Sequence, residues 1–168
     1  MGCCCASRPV GGPLAIHGHG GRERVALGLL EPTGRAVSVV VLARRYACCR
    51  CNCIMMVVPR DLGPWRRYTL ATIALAMVGY AEGECLASLR RRLSPDKTFE
   101  EGWPSVHRWL RAVQEGKLFR WIRGVSELSG RRLAERVAAV LAAESGNSNA
   151  QASIGPLAWE GVMAVLRC

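Results

Sequence analysis

Thr69-Leu70-Ala71-Thr72-Ile73-Ala74-Leu75-Ala76-Met77 is the stretch at which the periodicity of the chain changes. Leu70, Ile73, Ala74 and Met77 stand at i, i+3, i+4 and i+7, which is one face of a helix. Upstream, the apolar residues alternate or are broken by turn signals; downstream, they recur at helical spacing. The expectation is an α+β chain, with a small β-hairpin first and an all-α bundle after it. The mostly apolar run 69–81 is too short to cross a bilayer.

Working upstream, residues 59–67 (Pro59-Arg60-Asp61-Leu62-Gly63-Pro64-Trp65-Arg66-Arg67) read as a basic, proline-bounded linker. Residues 22–58 read as strands. In 22–30, Val25, Leu27 and Leu29 fall on one face; Glu31-Pro32-Thr33-Gly34 is a turn signal; 36–46 is a valine-rich partner strand. The cysteine cluster then closes the hairpin. Residues 1–21 are Gly-rich and loop-like.

Working downstream, Gly79 and Gly83 are expected to fray the end of the first helix. Leu86, Leu89 and Leu93 mark a short second helix carrying Arg90, Arg91 and Arg92, stopped by Ser94-Pro95. Pro104 suits the first turn of a third helix, in which Val106, Trp109, Leu110 and Val113 repeat the i, i+3, i+4, i+7 pattern until Gly116. Residues 118–128 and 131–143 read as two more helices, with Leu133, Val137, Val140 and Leu141 on one face of the latter. Residues 145–153 are small and polar, and 157–166 read as a last helical piece. The expected divisions are 1–58, a linker at 59–68, 69–125 and 126–168.

The chain has 168 residues, 50% of them hydrophobic and 21% charged, a composition that folds rather than remaining disordered as a whole. Lys and Arg total 23 against 13 Asp and Glu, a net +10 carried almost entirely by arginine, since only Lys97 and Lys117 are lysines. A basic surface points to an anionic partner, most often nucleic acid. No catalytic constellation stands out, and an enzyme is not expected. No charged n-region followed by an apolar h-region opens the chain, so the expected location is the cytoplasm. In that reducing compartment, nine cysteines are expected as thiols rather than as a disulfide framework.

Cys48 and Cys51 form a C-x-x-C pair directly after a strand. Such a knuckle can place two thiolates around one zinc ion, and a closed structural site takes four donors. Cys3 and Cys5, or one of them with His17 or His19, are the remaining candidates. The alternative is a metal-free hairpin of the same shape. Cys49 and Cys53 read as neighbours of the ligands that could substitute for them, Cys85 as a small apolar filler, and Cys168 as a tail residue. Met1-Gly2-Cys3-Cys4-Cys5 is also reminiscent of an acylated anchor, but Ala6 stands where the myristoylation pattern has Ser or Thr, and no membrane partner is expected.

The third helix leaves Ser105, His107, Arg108, Arg111 and Gln114 off its apolar stripe. These residue types hydrogen-bond base edges or phosphates in a major groove. Arg66, Arg67, Arg90, Arg91 and Arg92 suit phosphate contacts. Trp109 lies on the stripe and is expected in the core. Arg131, Arg132 and Arg136 read as solvated charge. The loop between the second and third helices is longer than the usual turn of a helix-turn-helix. The rival expectation is a protein-interaction module formed by the hairpin and the C-terminal helices.

Arg44-Arg45-Tyr46-Ala47-Cys48-x-x-Cys51, Val57-Val58-Pro59-Arg60, Arg66-Arg67-Tyr68-Thr69 and Ser105-Val106-His107-Arg108-Trp109-Leu110 together resemble bacterial zinc-ribbon plus helix-turn-helix proteins. These in turn are similar to the N-terminal DNA-binding parts of insertion-sequence transposases. The resemblance covers roughly residues 3–125. It implies a zinc-ribbon-like hairpin beside a helix-turn-helix that binds duplex DNA, with Cys48 and Cys51 as ligands. It also implies that Cys3 matches the second cysteine of the first knuckle, whose partner would lie before Met1. Transposase relatives continue into an acidic catalytic domain. Here Asp61 and Asp96 are the only aspartates, so a three-carboxylate nuclease core is not expected.

Overall fold

The computed structural model describes residues 15–28, 34–62, 67–95, 103–145 and 154–167. Among them, a three-stranded antiparallel sheet is followed by five helices. The strands are β1 (Ile16–Gly28), β2 (Val37–Cys48) and β3 (Ile54–Val57), in the order β1-β2-β3. The helices are α1 (Leu70–Ala81), α2 (Leu86–Leu93), α3 (Pro104–Gln114), α4 (Gly130–Ala143) and α5 (Ile154–Arg167).

β1 begins earlier than the alternation predicts and pairs with β2 from Ile16↔Cys48 to Gly28↔Val37, with a register shift between Gly18 and Gly21. Gly20 takes φ +79° there, a left-handed backbone that glycine adopts without strain. The cysteine cluster is the turn from β2 into β3, a short strand paired from Arg44↔Val57 to Ala47↔Ile54. Val25 and Leu27, expected to share an environment, part company: Val25 is exposed and Leu27 fully buried. Leu27 is where the sheet meets the helices, whereas Val25 lies beyond their cover. Residues 29–33, including Leu29 and most of the expected turn, lie outside the described residues.

The junction is built from backbone. Leu27 N donates to Arg67 O (2.6 Å), and Leu27 O accepts from Thr69 N (3.0 Å) and Thr72 Oγ1 (3.2 Å). On the other strand, Ala36 N donates to Arg92 O at 3.0 Å. Leu27 and Ala36 therefore belong to the same core as the helices. The segment read as a linker is tied down as well. Leu62 is buried, Asp61 O accepts from Leu70 N at 2.7 Å, and Arg60 Nη1 donates to Leu166 O at 3.0 Å. Residues 63–66, Arg66 among them, lie outside the described residues.

Thr69 starts α1 as its N-cap, its Oγ1 accepting from Thr72 N at 3.2 Å. The sequence predicts one buried face for α1, but every residue from Ala71 to Gly79 is buried. The reason is position: α2, α3, α4, α5 and β1 all pack on this helix, and a helix apolar all round is a central one. Gly79 does not fray the end. It lies inside α1, where a Cβ would stand 2.6 Å from Leu89 Cδ2 and 2.7 Å from Glu84 Oε2, so it lets α2 approach closely. The helix ends at Gly83 (φ +95°), whose N–H donates to Tyr80 O while Glu84 N donates to Gly79 O, a Schellman closure.

The expected helix over residues 118–128 does not form. Gly116 (φ +64°) closes α3, Phe119 takes φ +47° and Gly124 takes φ +69°, three left-handed residues that a right-handed helix cannot contain. The segment is a loop pinned by buried Leu118, Phe119, Ile122 and Val125. α4 buries Leu133, Ala134, Val137, Ala138 and Leu141, with Val140 half-buried. α5 is longer than its predicted span and crosses α4 closely at Gly161, where a Cβ would run into the Leu141 carbonyl. Residues 146–153, most of the predicted polar stretch, lie outside the described residues.

Candidate nucleic-acid interface

α3 is oriented by its apolar stripe. Val106, Trp109, Leu110 and Val113 are buried, as their spacing predicts. Trp103 stands at the N-cap position and Pro104 begins the helix, needing no amide partner there. Trp103 and Trp109 meet edge-on at 5.2 Å, and the Tyr68 ring packs on both, at 5.9 and 5.1 Å. Edge-to-face aromatic contacts of this kind add about 0.5–1.5 kcal/mol each beyond area burial. Tyr68 also bonds through its hydroxyl to Ser94 Oγ at 2.8 Å. One tyrosine thus joins the start of α1, the end of α2 and the buried face of α3.

The opposite face of α3 exposes His107, Arg108 and Arg111. Ser105 is half-buried at its flank. Gln114 does not belong to this face: half-buried, its Nε2 donates to Leu128 O and anchors the loop that follows α3. At the helix end, Lys117 Nζ binds Glu115 Oε2 at 2.7 Å. This hydrogen bond and the Lys117 charge hold the Glu115 carboxyl below the usual range, with Arg111 adding to the effect. Arg108 is exposed and has no carboxylate partner among the described residues.

The arginines of α2 differ. Arg90 is only 7% exposed and lies on the packed face, so it is not available as a phosphate contact. The spacing carries this signal: Arg90 is i+4 from Leu86 and i−3 from Leu93, on the leucine stripe, where its aliphatic stem can pack. Arg92 is half-buried and paired, its Nη2 2.8 Å from Glu84 Oε2, while Glu84 Oε1 accepts from Ser88 Oγ at 2.7 Å. Arg91 and Arg67 are exposed.

Two further residues, which no local pattern marks, adjoin the α3 face. The Tyr80 ring, at the end of α1, meets His107 edge-on at 5.7 Å. The guanidinium of Arg131, from α4, lies 5.6 Å from the centroid of the same ring. Only packing of α1, α3 and α4 brings these positions together.

At the far end of the sheet, Cys48 is buried, Cys53 half-buried, and Cys49 and Cys51 exposed, all four as thiols. Asn52 N donates to Cys48 O at 2.9 Å and Cys48 N to Cys53 O at 3.1 Å. Asn52 takes φ +53°, a conformation asparagine tolerates better than most residues. Cys49 N donates to Ala15 O at 2.8 Å, and His17 Nδ1 lies 3.4 Å from Cys49 Sγ. Cys48 and Cys51 supply two possible donors on this turn. Among the described residues, no three His, Cys, Asp or Glu side chains gather into a metal-holding group. Cys3 and Cys5 lie outside the described residues.

Among the described residues, no helix is long and apolar enough to cross a membrane. Searches of family models, curated proteins and solved structures find no match to this chain.

Proposed function

We propose that this protein binds duplex DNA through the outer face of α3, acting as a transposase-derived or regulatory binding protein. The observation that carries the reading is the exposure of His107, Arg108 and Arg111 on a helix whose other face is locked by Trp109 and its neighbours. In this reading α2 and α3 act as a helix-turn-helix with an enlarged connection, beside a zinc-ribbon-like sheet. Arg67 and Arg91 contribute phosphate contacts and α3 enters the major groove. Arginine capture of phosphates releases counterions, so affinity falls with salt at a slope of about −0.9 per phosphate neutralised. Fluorescence anisotropy with a random-sequence duplex at about 50 mM salt tests it. Binding that weakens in Arg108→Ala and Arg111→Ala supports it; no binding overturns it.

One observation favours a second reading, a protein-interaction module. Val25, Val40, Leu42 and Val57 are 55%, 63%, 55% and 54% exposed. Val25 pairs directly with Val40, and Leu42 and Val57 (through its partner Arg44) fall on the same side of the sheet by register. An apolar sheet face of this kind is a common partner surface. A stable complex in pull-down, lost in Val40→Glu, together with no DNA binding, would decide for it.

Zinc enters as a structural proposal for the β2–β3 turn alone, with Cys48 and Cys51 as two ligands. Four donors close a structural site, and the described residues do not complete the set. No step of DNA binding is routed through the metal. Native mass spectrometry checks it: a zinc adduct lost in Cys51→Ser supports the proposal, and an apo mass after zinc incubation rejects it.

A further inference from the structure

The cluster of Tyr80, His107 and Arg131 joins three helices on one exposed flank of α3. Arg131 has no ion pair among the described residues, in contrast to Arg92 and Lys117. Its guanidinium lies 5.6 Å from the centroid of the Tyr80 ring. An arginine stacked on an aromatic ring engages through its face and keeps in-plane N–H donors for a planar anion such as phosphate. Its place in the helix also works against α4 stability. A cation in the first turn opposes the helix dipole, no acidic residue stands in that turn, and the N-cap Ser129 makes no side-chain cap bond. A basic residue that disfavours its own helix and is steadied by a ring from another is one whose charge is available to a group outside the fold.

We propose that Arg131 is a second phosphate-binding contact of the α3 interface, supplied by α4, and that Tyr80 is the residue that positions it. This rests on the duplex-DNA reading. His107 lies against the same ring, so a phosphate held by Arg131 would run along the flank of α3 rather than past its end. α3 and α4 would then grip one DNA backbone from two directions, restricting the angle at which α3 enters the groove.

The test is anisotropy of a labelled random-sequence duplex, titrated with the full chain over a series of salt concentrations. Arg131→Ala is expected to weaken binding on the order of 10-fold at about 50 mM salt and to reduce the slope of log K against log salt by about 0.9. Arg131→Lys is expected to recover the slope. Tyr80→Leu is expected to weaken binding once corrected for the folded fraction, and Tyr80→Phe, which keeps the ring, to restore what Tyr80→Leu loses. A wild-type protein that binds while Arg131→Ala leaves the slope unchanged overturns this inference and leaves the α3 reading standing. A wild-type protein that does not bind at all overturns the α3 reading and this inference with it.

Discussion

α2 and α3 are two short helices of similar character in sequence, each with an apolar stripe and several basic residues, yet they use their arginines in opposite ways. In α2, Arg90 is packed against the core and Arg92 is held by Glu84, so two of three charges are absorbed by the fold. In α3, His107, Arg108 and Arg111 stand on the solvent side, and Glu115, beside the helix end, is itself occupied by Lys117. A count of arginines along a chain therefore says little about an anion-binding surface. What matters is whether each falls on the stripe, within reach of a carboxylate, or on neither.

The largest expected effect is on α3. The double variant Arg108→Ala, Arg111→Ala should weaken duplex binding on the order of 100-fold at about 50 mM salt and reduce the salt slope by about 1.8. Its melting temperature should match wild type, because neither side chain packs in the core. Next comes the converse for α2. Arg90→Ala should lower the unfolding free energy by about 1–3 kcal/mol in urea titration, through lost packing of a buried stem, with DNA affinity unchanged once corrected for the folded fraction. If Arg90→Ala instead changed the salt slope at constant stability, the contrast between the helices would fail.

The smallest effect concerns Glu115, the C-cap residue of α3. Its carboxyl is depressed by Lys117, so it stays ionised through neutral pH, and the pairing is present above the ordinary carboxylate range and lost as pH falls through the depressed value. While ionised it offsets Arg111. Glu115→Gln should tighten duplex binding about 2- to 5-fold, the scale of an exposed charge interaction. The difference between Glu115→Gln and wild type should vanish on acidification below that range, in anisotropy followed against pH.

Features set by local spacing were legible in the sequence. The stripe Val106, Trp109, Leu110, Val113 marks both the buried and the open face of α3, and the change of period at Thr69 separates sheet from helices. Arg90 was legible in principle, but three consecutive arginines obscure which of them shares the leucine stripe. Residues 118–128 were misleading because buried loops and helices use the same apolar residues. The left-handed backbone at Phe119, a residue type that rarely adopts it, leaves no compositional trace. Gly79 reads as a helix end by propensity, although its role is to admit Leu89. The meeting of Tyr80, His107 and Arg131 depends on how three helices cross, which no single stretch encodes.

The lock at Leu27 has a mechanical consequence. β1 is clamped by hydrogen bonds from residues 67–72 at its last turn of register, while its first half, beyond the Gly18–Gly21 bulge, is paired among the described residues with β2 alone. The strand is a cantilever, fixed at one end. Deuterium exchange should accordingly be slowest at the Leu27 amide and rise stepwise toward His17, so that the cysteine turn opens on its own without loosening the helices.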